Sequence, residues 1–152
     1  MSSEKIIALE GRAKNREEAI RLCGQALRDA GVAGDGFAEG CVRREREYAT
    51  GICSDIPVAI PHCKSEDILQ SGVCYLRLEE PVEFQRMDDD LETIMTRSIF
   101  NLAIQNGGDH LDFLQKMMAV VGDEAFMQSL EQADIKAAPS MLAERLAAAA
   151  EG

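Results

Sequence analysis

The chain has 152 residues and a mass of 16.6 kDa, the size of one ordinary globular domain. Apolar residues make up 46% of the sequence and charged residues 28%, which fits neither a disordered chain nor a membrane protein. Acidic residues number 27 and basic residues 16, so the net charge of −11 disfavours nucleic acids and anionic lipid surfaces as primary partners. No apolar run approaches the ~20 residues of a membrane-spanning helix.

Five cysteines are scattered along the chain: Cys23, Cys41, Cys53, Cys63 and Cys74. Their number is odd, and no two have the Cys-x-x-Cys spacing of redox dithiols and zinc knuckles. No signal peptide is recognisable. We therefore expect a cytoplasmic protein whose thiols are reduced and either buried or incidental.

The first half of the chain contains one short apolar segment and two helical patterns. Residues 6–9 predict an edge strand or an N-terminal tail. Asn15 is the expected N-cap of a helix that stops at Gly31. After a glycine-rich turn, residues 37–48 show a second helical pattern. Its apolar side carries Phe37, Cys41 and Val42.

Short strands follow in the middle of the chain. Residues 58–60 predict a short strand that a proline bounds at each end. Residues 73–78 alternate in the manner of a second strand, with Cys74, Leu76 and Leu78 on one face. Residues 81–84 predict a turn with a further short strand, and residues 98–104 a buried central strand.

The last third of the chain is helical. We predict helices over residues 110–121, 124–132 and 140–150. The first of them is expected to be a core helix, because it carries apolar residues at helical spacing: Leu111, Leu114, Met117 and Met118. The order of elements favours an α/β fold, an α+β sandwich in which helices pack on a small mixed sheet. No linker divides residues 1–152, so we expect a single domain.

Two histidines, His62 and His110, are the first candidates for chemistry. His62 follows the strand of residues 58–60 and Pro61, so its imidazole is expected at a sheet end, where ligand sites tend to lie. His110 stands in the first turn of a helix, after glycine-rich residues 107–109 whose amides suit an anion. A helix dipole keeps a nearby imidazole neutral. This pair suits a phosphoryl group better than a metal.

Plainer interpretations of these residues stay open from spacing alone. His62 also fits an ordinary surface histidine, and His110 a polar first-turn residue. Both histidines and Cys63 are metal-ligand types, although no further ligand falls at a recognisable interval. Cys63 is a poor nucleophile partner for His62, because neighbours on an extended chain point to opposite faces. The acidic residues 88–90 look like a cation site but are typical of a solvated loop.

A sequence resemblance decides between these interpretations. Residues 44–63, REREYATGICSDIPVAIPHC, contain an Arg-Glu pair, a Thr-Gly pair and a short strand ending in Ile-Pro-His. This segment resembles the phosphorylation region of fructose/mannitol-type (PTS type 2) enzyme IIA domains of the bacterial phosphoenolpyruvate:sugar phosphotransferase system. Residues 106–111, NGGDHL, are similar to the family's second histidine motif. The matches follow the family's order over most of the chain.

The resemblance implies a fold and a branch of the family. The implied fold is a mixed, mostly parallel sheet of about five strands flanked by helices, in one domain over residues 1–152. Cys63 stands where the family commonly has glycine, and Pro-His-Cys is most similar to the galactitol-type branch. Residues 51–57 form a slightly longer segment than in mannitol-type domains. These departures leave the sugar open.

The resemblance also implies roles for the residues. His62 would take a phosphoryl group from phospho-HPr and pass it to a cysteine of the matching IIB component. Its neutral imidazole suits a nucleophile near pH 7. Charge on the phosphate oxygens must be held by fixed donors, because electrostatics and positioning dominate phosphoryl transfer. His110 is the implied donor, together with the amides of Gly108 and Asp109.

An arginine and a threonine complete the implied site. Arg44 matches the family arginine and would close on the phosphate with its planar fork. Arg43 and Arg46 are the substitutes if the register is shifted by a turn. Thr50 would add a hydroxyl.

The implied protein is a phosphotransferase without a cofactor, linked through IIB to a membrane IIC transporter and binding neither nucleic acid nor membrane itself. The alternative is a IIA-like regulatory module whose phosphorylation on His62 controls a transcription or transport partner. A metal- or thiol-dependent enzyme built on Cys63 and His62 is a third hypothesis. The resemblance suggests Nε2 as the modified ring nitrogen. Apolar residues near His62 would contribute either to docking or to the core: Ile52, Ile56 and Val58.

Overall fold

A six-stranded mixed sheet forms the centre of the computed structural model, which describes residues 4–105 and 110–151, with backbone alone at residues 110, 150 and 151. The strands are β1 Lys5–Gly11, β2 Gly51–Ile52, β3 Val58–Ala59, β4 His62–Cys63, β5 Gly72–Gln85 and β6 Thr93–Ala103. Their order is β1-β5-β6-β3-β2, and β4 also pairs with β6. Pairings β1/β5, β3/β6 and β4/β6 are parallel, whereas β2/β3 and the long β5/β6 pairing are antiparallel. The expected mixed sheet is confirmed.

Helices cover both faces of this sheet. They are α1 Arg16–Asp29, α2 Phe37–Glu47, α3 His110–Val121, α4 Glu124–Gln132 and α5 Ala138–Glu151, with a 3-10 turn at Ile135–Ala137. Residues of α1 and α2 share one apolar core with the sheet, and residues of α3, α4 and α5 share a second core. The result is a three-layer sandwich, which confirms the expected fold class.

The alternation of β5 explains why the sheet has two apolar faces. Cys74, Leu76 and Leu78 belong to the core beneath α1 and α2. Val73 and Tyr75 belong to the opposite core, where the Tyr75 ring stacks on Phe100 with centroids 4.8 Å apart. Successive side chains of a strand point to opposite faces, so a strand that is covered on both sides is apolar throughout.

Both predicted ends of α1 are confirmed. The side chain of Asn15 accepts a hydrogen bond of 2.9 Å from the amide of Glu18, which satisfies one free donor of the first turn. Gly31 has a φ of 78°, a left-handed conformation that favours glycine and ends the helix. Residues 6–9 form the expected edge strand, β1.

Two expectations about local structure are wrong. The turn expected at residues 81–84 is part of the continuous strand β5, which has a register shift against β6 between Arg77 and Val82. Proline has no N–H, and an irregularity of the ladder accommodates it without a turn. On α3, Met117 is buried as expected, but Leu111 is 59% exposed and Met118 38% exposed. The buried side of α3 instead carries Phe113, Met117, Val120 and Val121.

The sheet brings His62 to the end of its central strand. Strand β4 pairs with the last residues of β6, with His62 opposite Leu102 and Cys63 opposite Ala103. The carbonyl of Pro61 accepts a hydrogen bond of 2.9 Å from the Leu102 amide, which extends this attachment by one residue. Because β3 and β4 run parallel to β6, His62 lies at the carboxyl edge, where ligands bind in α/β sheets.

Among the described residues, no helix combines the length and the apolar character that crossing a membrane requires.

We predict that Gly24→Ala destabilises the protein by about 2 kcal/mol, because α1 and α2 touch at this glycine. A Cβ atom there would lie 2.4 Å from the Cβ and 2.8 Å from the Cα of Ala38, a contact that requires backbone to move. Denaturant unfolding measures the loss. Gly11→Ala is the matched control, since its Cβ would meet only two leucine side chains at 3.6 Å. Equal stabilities of the two variants would contradict this account of the helix contact.

Candidate functional site

The imidazole of His62 is half-buried and held by its own backbone. Its Nδ1 lies 2.8 Å from the carbonyl oxygen of Ile60. A carbonyl oxygen only accepts hydrogen bonds, so Nδ1 must carry the ring proton of the neutral imidazole. Nε2 then keeps its lone pair. This hydrogen bond therefore selects the tautomer in which Nε2 is unprotonated and available to an electrophile.

The environment of His62 also favours its neutral form. Burial lowers the pKa of the imidazole, and the positive charge of Arg44 lowers it further. The hydrogen bond to Ile60 acts in the opposite direction. The net effect is a pKa below the ordinary value of histidine, so the ring is uncharged at neutral pH.

Arg44 lies on the last turns of α2 and is exposed. Its guanidinium stacks over the ring of Tyr48, 3.9 Å from the ring centroid. Within the described part of the chain, this guanidinium has no carboxylate within ion-pair distance. Arg44 is the arginine whose charge reaches His62, whereas Arg46 acts on Glu39. Arg43 acts on Glu39 and on Cys63. The role of Arg44 at a phosphate stays a prediction.

The backbone before His62 is held from two sides. On the β6 side, the Pro61 carbonyl accepts from the side-chain amide of Asn101 at 3.2 Å, in addition to the Leu102 amide. On the other side, the amide of Ile60 donates to the hydroxyl oxygen of Thr50 at 3.2 Å. Both Asn101 and Thr50 are buried. The position of the His62 ring thus depends on two buried polar side chains.

Thr50 is in turn bound to a buried carboxylate. Glu45 is 3% exposed, and its two oxygens accept from the amide and the hydroxyl of Thr50, each at 2.8 Å. Burial raises the pKa of Glu45 to about 7, although the two Thr50 hydrogen bonds and the charge of Arg16 oppose the rise. The hydroxyl proton of Thr50 is therefore directed at Glu45. This differs from the expectation that Thr50 offers its hydroxyl to a phosphate, because a buried carboxylate is a strong acceptor.

Cys63 faces away from this chemistry, towards α2. Its sulfur lies 3.6 Å from the sulfur of Cys41, whose thiol donates to it, and 3.7 Å from the carbonyl oxygen of Phe37. The hydrogen bond from Cys41 lowers the pKa of Cys63. All five cysteines are free, and four of them are buried, as expected. This orientation does not favour a Cys63 nucleophile that His62 activates.

Three expected phosphate-binding residues have no described side-chain geometry. Gly108 and Asp109 lie outside the described residues. His110 begins helix α3, as predicted, but its side chain also lies outside the described part. Their roles stay predictions.

The remaining candidates have structural roles. The acidic residues 88–90 lie in the exposed connection between β5 and β6, where Asp88 pairs with Arg86 at 2.7 Å. Val58 is fully buried, and Ile52 and Ile56 pack against the same core. Core packing, rather than docking, is therefore the role of these apolar residues.

A comparison with protein families identifies the relatives of this arrangement. The model of the family described as "Phosphoenolpyruvate-dependent sugar phosphotransferase system, EIIA 2" matches residues 1–142. The chain belongs to this family. As an EIIA component, it is a phosphotransferase of the sugar phosphotransferase system. The matched residues include both histidines and Arg44.

Individual relatives are EIIA components of the same family, but they are specific for different sugar alcohols. The mannitol-specific phosphotransferase enzyme IIA component of Enterococcus faecalis (strain ATCC 700802 / V583) is 31% identical over 120 residues, which cover 77% of this chain and 79% of that protein. The galactitol-specific EIIA component of Escherichia coli (strain K12) is 26% identical over 117 residues, covering 76% and 77%.

A solved structure shares the fold. In the complex of enzyme IIAMtl and phosphorylated enzyme IIBMtl from Escherichia coli, the matching chain superimposes with a TM-score of 0.68 at 22% identity, covering 97% of both chains. At this level of identity, the similarity shows the common architecture of the EIIA chains.

Sequence reasoning missed two residues of this EIIA site, Glu45 and Asn101. Glu45 was hidden in a run of charges, but it lies four residues after Cys41 and therefore on the apolar face of α2. Asn101 is a single amide within an otherwise apolar stretch of β6. A polar residue at a buried position of the hydrophobic pattern is the signal that would have found both.

We predict that Glu45 makes the EIIA chain less stable as the pH rises. Its folded pKa of about 7 lies above the ordinary glutamate value of 4.5, so the folded state holds the extra proton between these pH values. This contribution to the free energy of unfolding is fully present below about pH 4.5 and is lost by about pH 7, a fall of about 3 kcal/mol. Denaturant unfolding at a series of pH values gives the free energy of unfolding of the native chain and of Glu45→Gln. The difference between the two proteins measures the contribution of Glu45.

The exposed Glu47 on the same helix supplies the control, Glu47→Gln, which we expect to follow the native pH dependence. If the free energies of unfolding of the native chain and Glu45→Gln depended on pH in the same way, the prediction of a raised Glu45 pKa would be wrong.

Proposed function

We propose that this chain accepts a phosphoryl group from phospho-HPr on Nε2 of His62 and passes it to a cysteine of its IIB component during sugar or sugar-alcohol uptake. The observation that carries the proposal is the 2.8 Å contact between Nδ1 of His62 and the carbonyl oxygen of Ile60. It leaves Nε2 with a free lone pair at a half-buried ring whose pKa is lowered by burial and Arg44.

The same contact assists the reaction itself. As the bond between phosphorus and the donor nitrogen breaks, a bond between phosphorus and Nε2 of His62 forms. The imidazole still holds its Nδ1 proton, so the ring gains positive charge. The Ile60 carbonyl oxygen, which already accepts from Nδ1, stabilises that charge where it develops. A positively charged ring is also a good leaving group for the next transfer.

Arg44 and the residues at the start of α3 would bind the phosphoryl oxygens. The exposed guanidinium of Arg44 is held by an aromatic ring rather than a carboxylate, so few strong interactions oppose its movement onto a phosphate. His110, with the amides of Gly108 and Asp109, would supply further donors at a helix N-terminus. Thr50 would not contact the phosphate, because its hydroxyl donates its hydrogen bond to Glu45.

The second transfer regenerates the starting state. A cysteine thiolate of IIB attacks the phosphorus, the bond to Nε2 breaks, and His62 returns to its neutral form with the proton on Nδ1. The structural relative in complex with phosphorylated enzyme IIB supports a partner of this kind. We propose that the exchange occurs in the cytoplasm, where all five cysteines would remain free thiols, and that IIB links the chain to a membrane IIC transporter.

We predict that phosphoenolpyruvate and the general phosphotransferase proteins add one acid-labile phosphate to the native chain and none to His62→Gln, which lacks the nucleophile. Intact-protein mass spectrometry measures the addition before and after acid treatment. Cys63→Ser is the control and retains the phosphate, whereas loss of phosphate in this variant would favour a thiol mechanism. An acid-stable adduct, or one that His62→Gln keeps, contradicts the proposal.

Addition of the purified IIB component separates transport from regulation. Under the proposal, the phosphate moves from His62 to a cysteine of IIB. A phosphate that stays on His62 in the presence of IIB would favour the regulatory alternative.

We predict that Arg44→Gln slows phosphoryl acceptance about 100-fold, because a cation near the transferred group is lost. His110→Ala is expected to slow transfer similarly while the fold remains intact. Rapid-quench kinetics measures the rates, and circular dichroism checks folding. Arg43→Gln, one residue away and also exposed, serves as the control. If Arg43→Gln slowed phosphoryl acceptance strongly and Arg44→Gln did not, Arg43 would be the phosphate-binding arginine instead of Arg44.

A further inference from the structure

Three hydrogen bonds, joined through the backbone of Ile60, connect a buried carboxylate to the ring of His62. Glu45 accepts from the hydroxyl of Thr50 at 2.8 Å, and the same oxygen of Thr50 accepts from the amide of Ile60 at 3.2 Å. The carbonyl oxygen of Ile60 then lies 2.8 Å from Nδ1 of His62. Four residues thus join helix α2 to the phosphoacceptor through contacts that are almost entirely buried.

The position of Glu45 is costly for the fold. A carboxylate that leaves water loses solvation, and it is tolerated only when its oxygens find donors. Both donors come from one residue, Thr50, through its amide and its hydroxyl. The fold keeps this carboxyl group in the core despite the cost, and the group binds Thr50 next to the site. Packing alone does not explain such an arrangement.

We propose that Glu45 is a positioning residue: through Thr50 it fixes the backbone of Ile60, and thereby keeps the proton of His62 on Nδ1 and the lone pair on Nε2. The inference rests on the proposed function of His62 as phosphoacceptor. Glu45 touches neither the imidazole nor the phosphate in this account. It acts only through the Thr50 hydroxyl.

The local backbone explains why such a clamp is needed. Strand β3 ends at Ala59 and β4 begins at His62, so Ile60 lies between two very short ladders. Pro61 has no N–H and cannot add a donor. Its carbonyl is bound on the β6 side by Leu102 and Asn101. The Thr50 hydroxyl is the corresponding attachment of this segment on the α2 side.

The charges around the clamp predict its dependence on pH. Thr50 contacts the Glu45 carboxyl group, and Arg16 and Glu17 face it from α1. The pKa of Glu45 is about 7, whereas that of His62 is lowered by burial and by Arg44. As the pH falls, Glu45 therefore gains its proton before His62 does. One of its oxygens then becomes a hydroxyl, which is a donor and a weaker acceptor, and the clamp weakens while the imidazole is still neutral.

The tautomer of His62 tests the inference directly and without any phosphate donor. Nitrogen-15 NMR of the unphosphorylated chain distinguishes a proton on Nδ1 from one on Nε2. Above pH 7, we expect Nδ1 to hold the proton in the native chain and a clear shift towards Nε2 in Glu45→Gln and Thr50→Val. Thr50→Ser keeps the hydroxyl and is expected to restore most of the Nδ1 form. Glu47→Gln, exposed on the same helix, is the control.

Transfer kinetics and stability complete the test. Glu45→Gln is expected to accept phosphate about tenfold more slowly, which corresponds to about 1.4 kcal/mol. At pH 8 it is also expected to be more stable than the native chain, because the buried charge is absent. A variant that accepts phosphate more slowly although it is more stable has lost positioning and has not unfolded. Glu45→Gln provides this comparison even if Thr50→Val fails to fold.

Unchanged tautomer populations in folded Glu45→Gln would overturn the inference. So would a normal transfer rate in that variant. If instead the native chain accepts no phosphate, the proposed function fails, while the NMR result still decides whether Glu45 positions His62.

Discussion

The hydrogen bond between His62 and the carbonyl of Ile60 is the interaction on which the site depends. It determines which ring nitrogen holds a proton and which keeps a lone pair, and it does so with a backbone group that cannot reverse its role. A side-chain partner such as an amide can flip, whereas a carbonyl fixed between two strands cannot. The backbone on either side of that carbonyl is held in place, because Thr50 accepts from the Ile60 amide and Asn101 donates to the Pro61 carbonyl.

Helix α2 contributes two neighbouring residues to the site, Arg44 and Glu45, which have different roles. Consecutive residues of a helix point about 100° apart, so Arg44 is exposed while Glu45 is buried. The exposed cation lowers the pKa of His62 and remains free to approach an anion. The buried carboxylate binds Thr50 and destabilises the fold at neutral pH. The Arg-Glu pair of the family motif thus combines an electrostatic role at the surface with a structural role in the core.

Hydrophobic periodicity was sufficient to predict most of the fold. The ends of α1 followed from the capping side chain of Asn15 and from Gly31, which lacks a Cβ, and both effects act within a few residues of the chain. The alternation of β5 predicted its two faces correctly. The errors arose where tertiary contacts overrode local signals. Pro81 lies in a register shift instead of a turn, and the buried side of α3 is set by where that helix meets the sheet, which leaves Met118 outside.

The amino-acid sequence by itself identified the phosphotransferase family and predicted His62 and Arg44 as site residues, because those residues form a motif of fixed order along the chain. The tertiary structure decided which nitrogen of His62 holds the proton, which one keeps its lone pair, and what the Thr50 hydroxyl binds. Thr50, which follows helix α2, meets Glu45 on that helix five residues before it and Ile60 ten residues after it, between β3 and β4. Such contacts depend on how helix α2 packs against the ends of the strands. Only the folded chain could direct the Thr50 hydroxyl into the core instead of towards a phosphate.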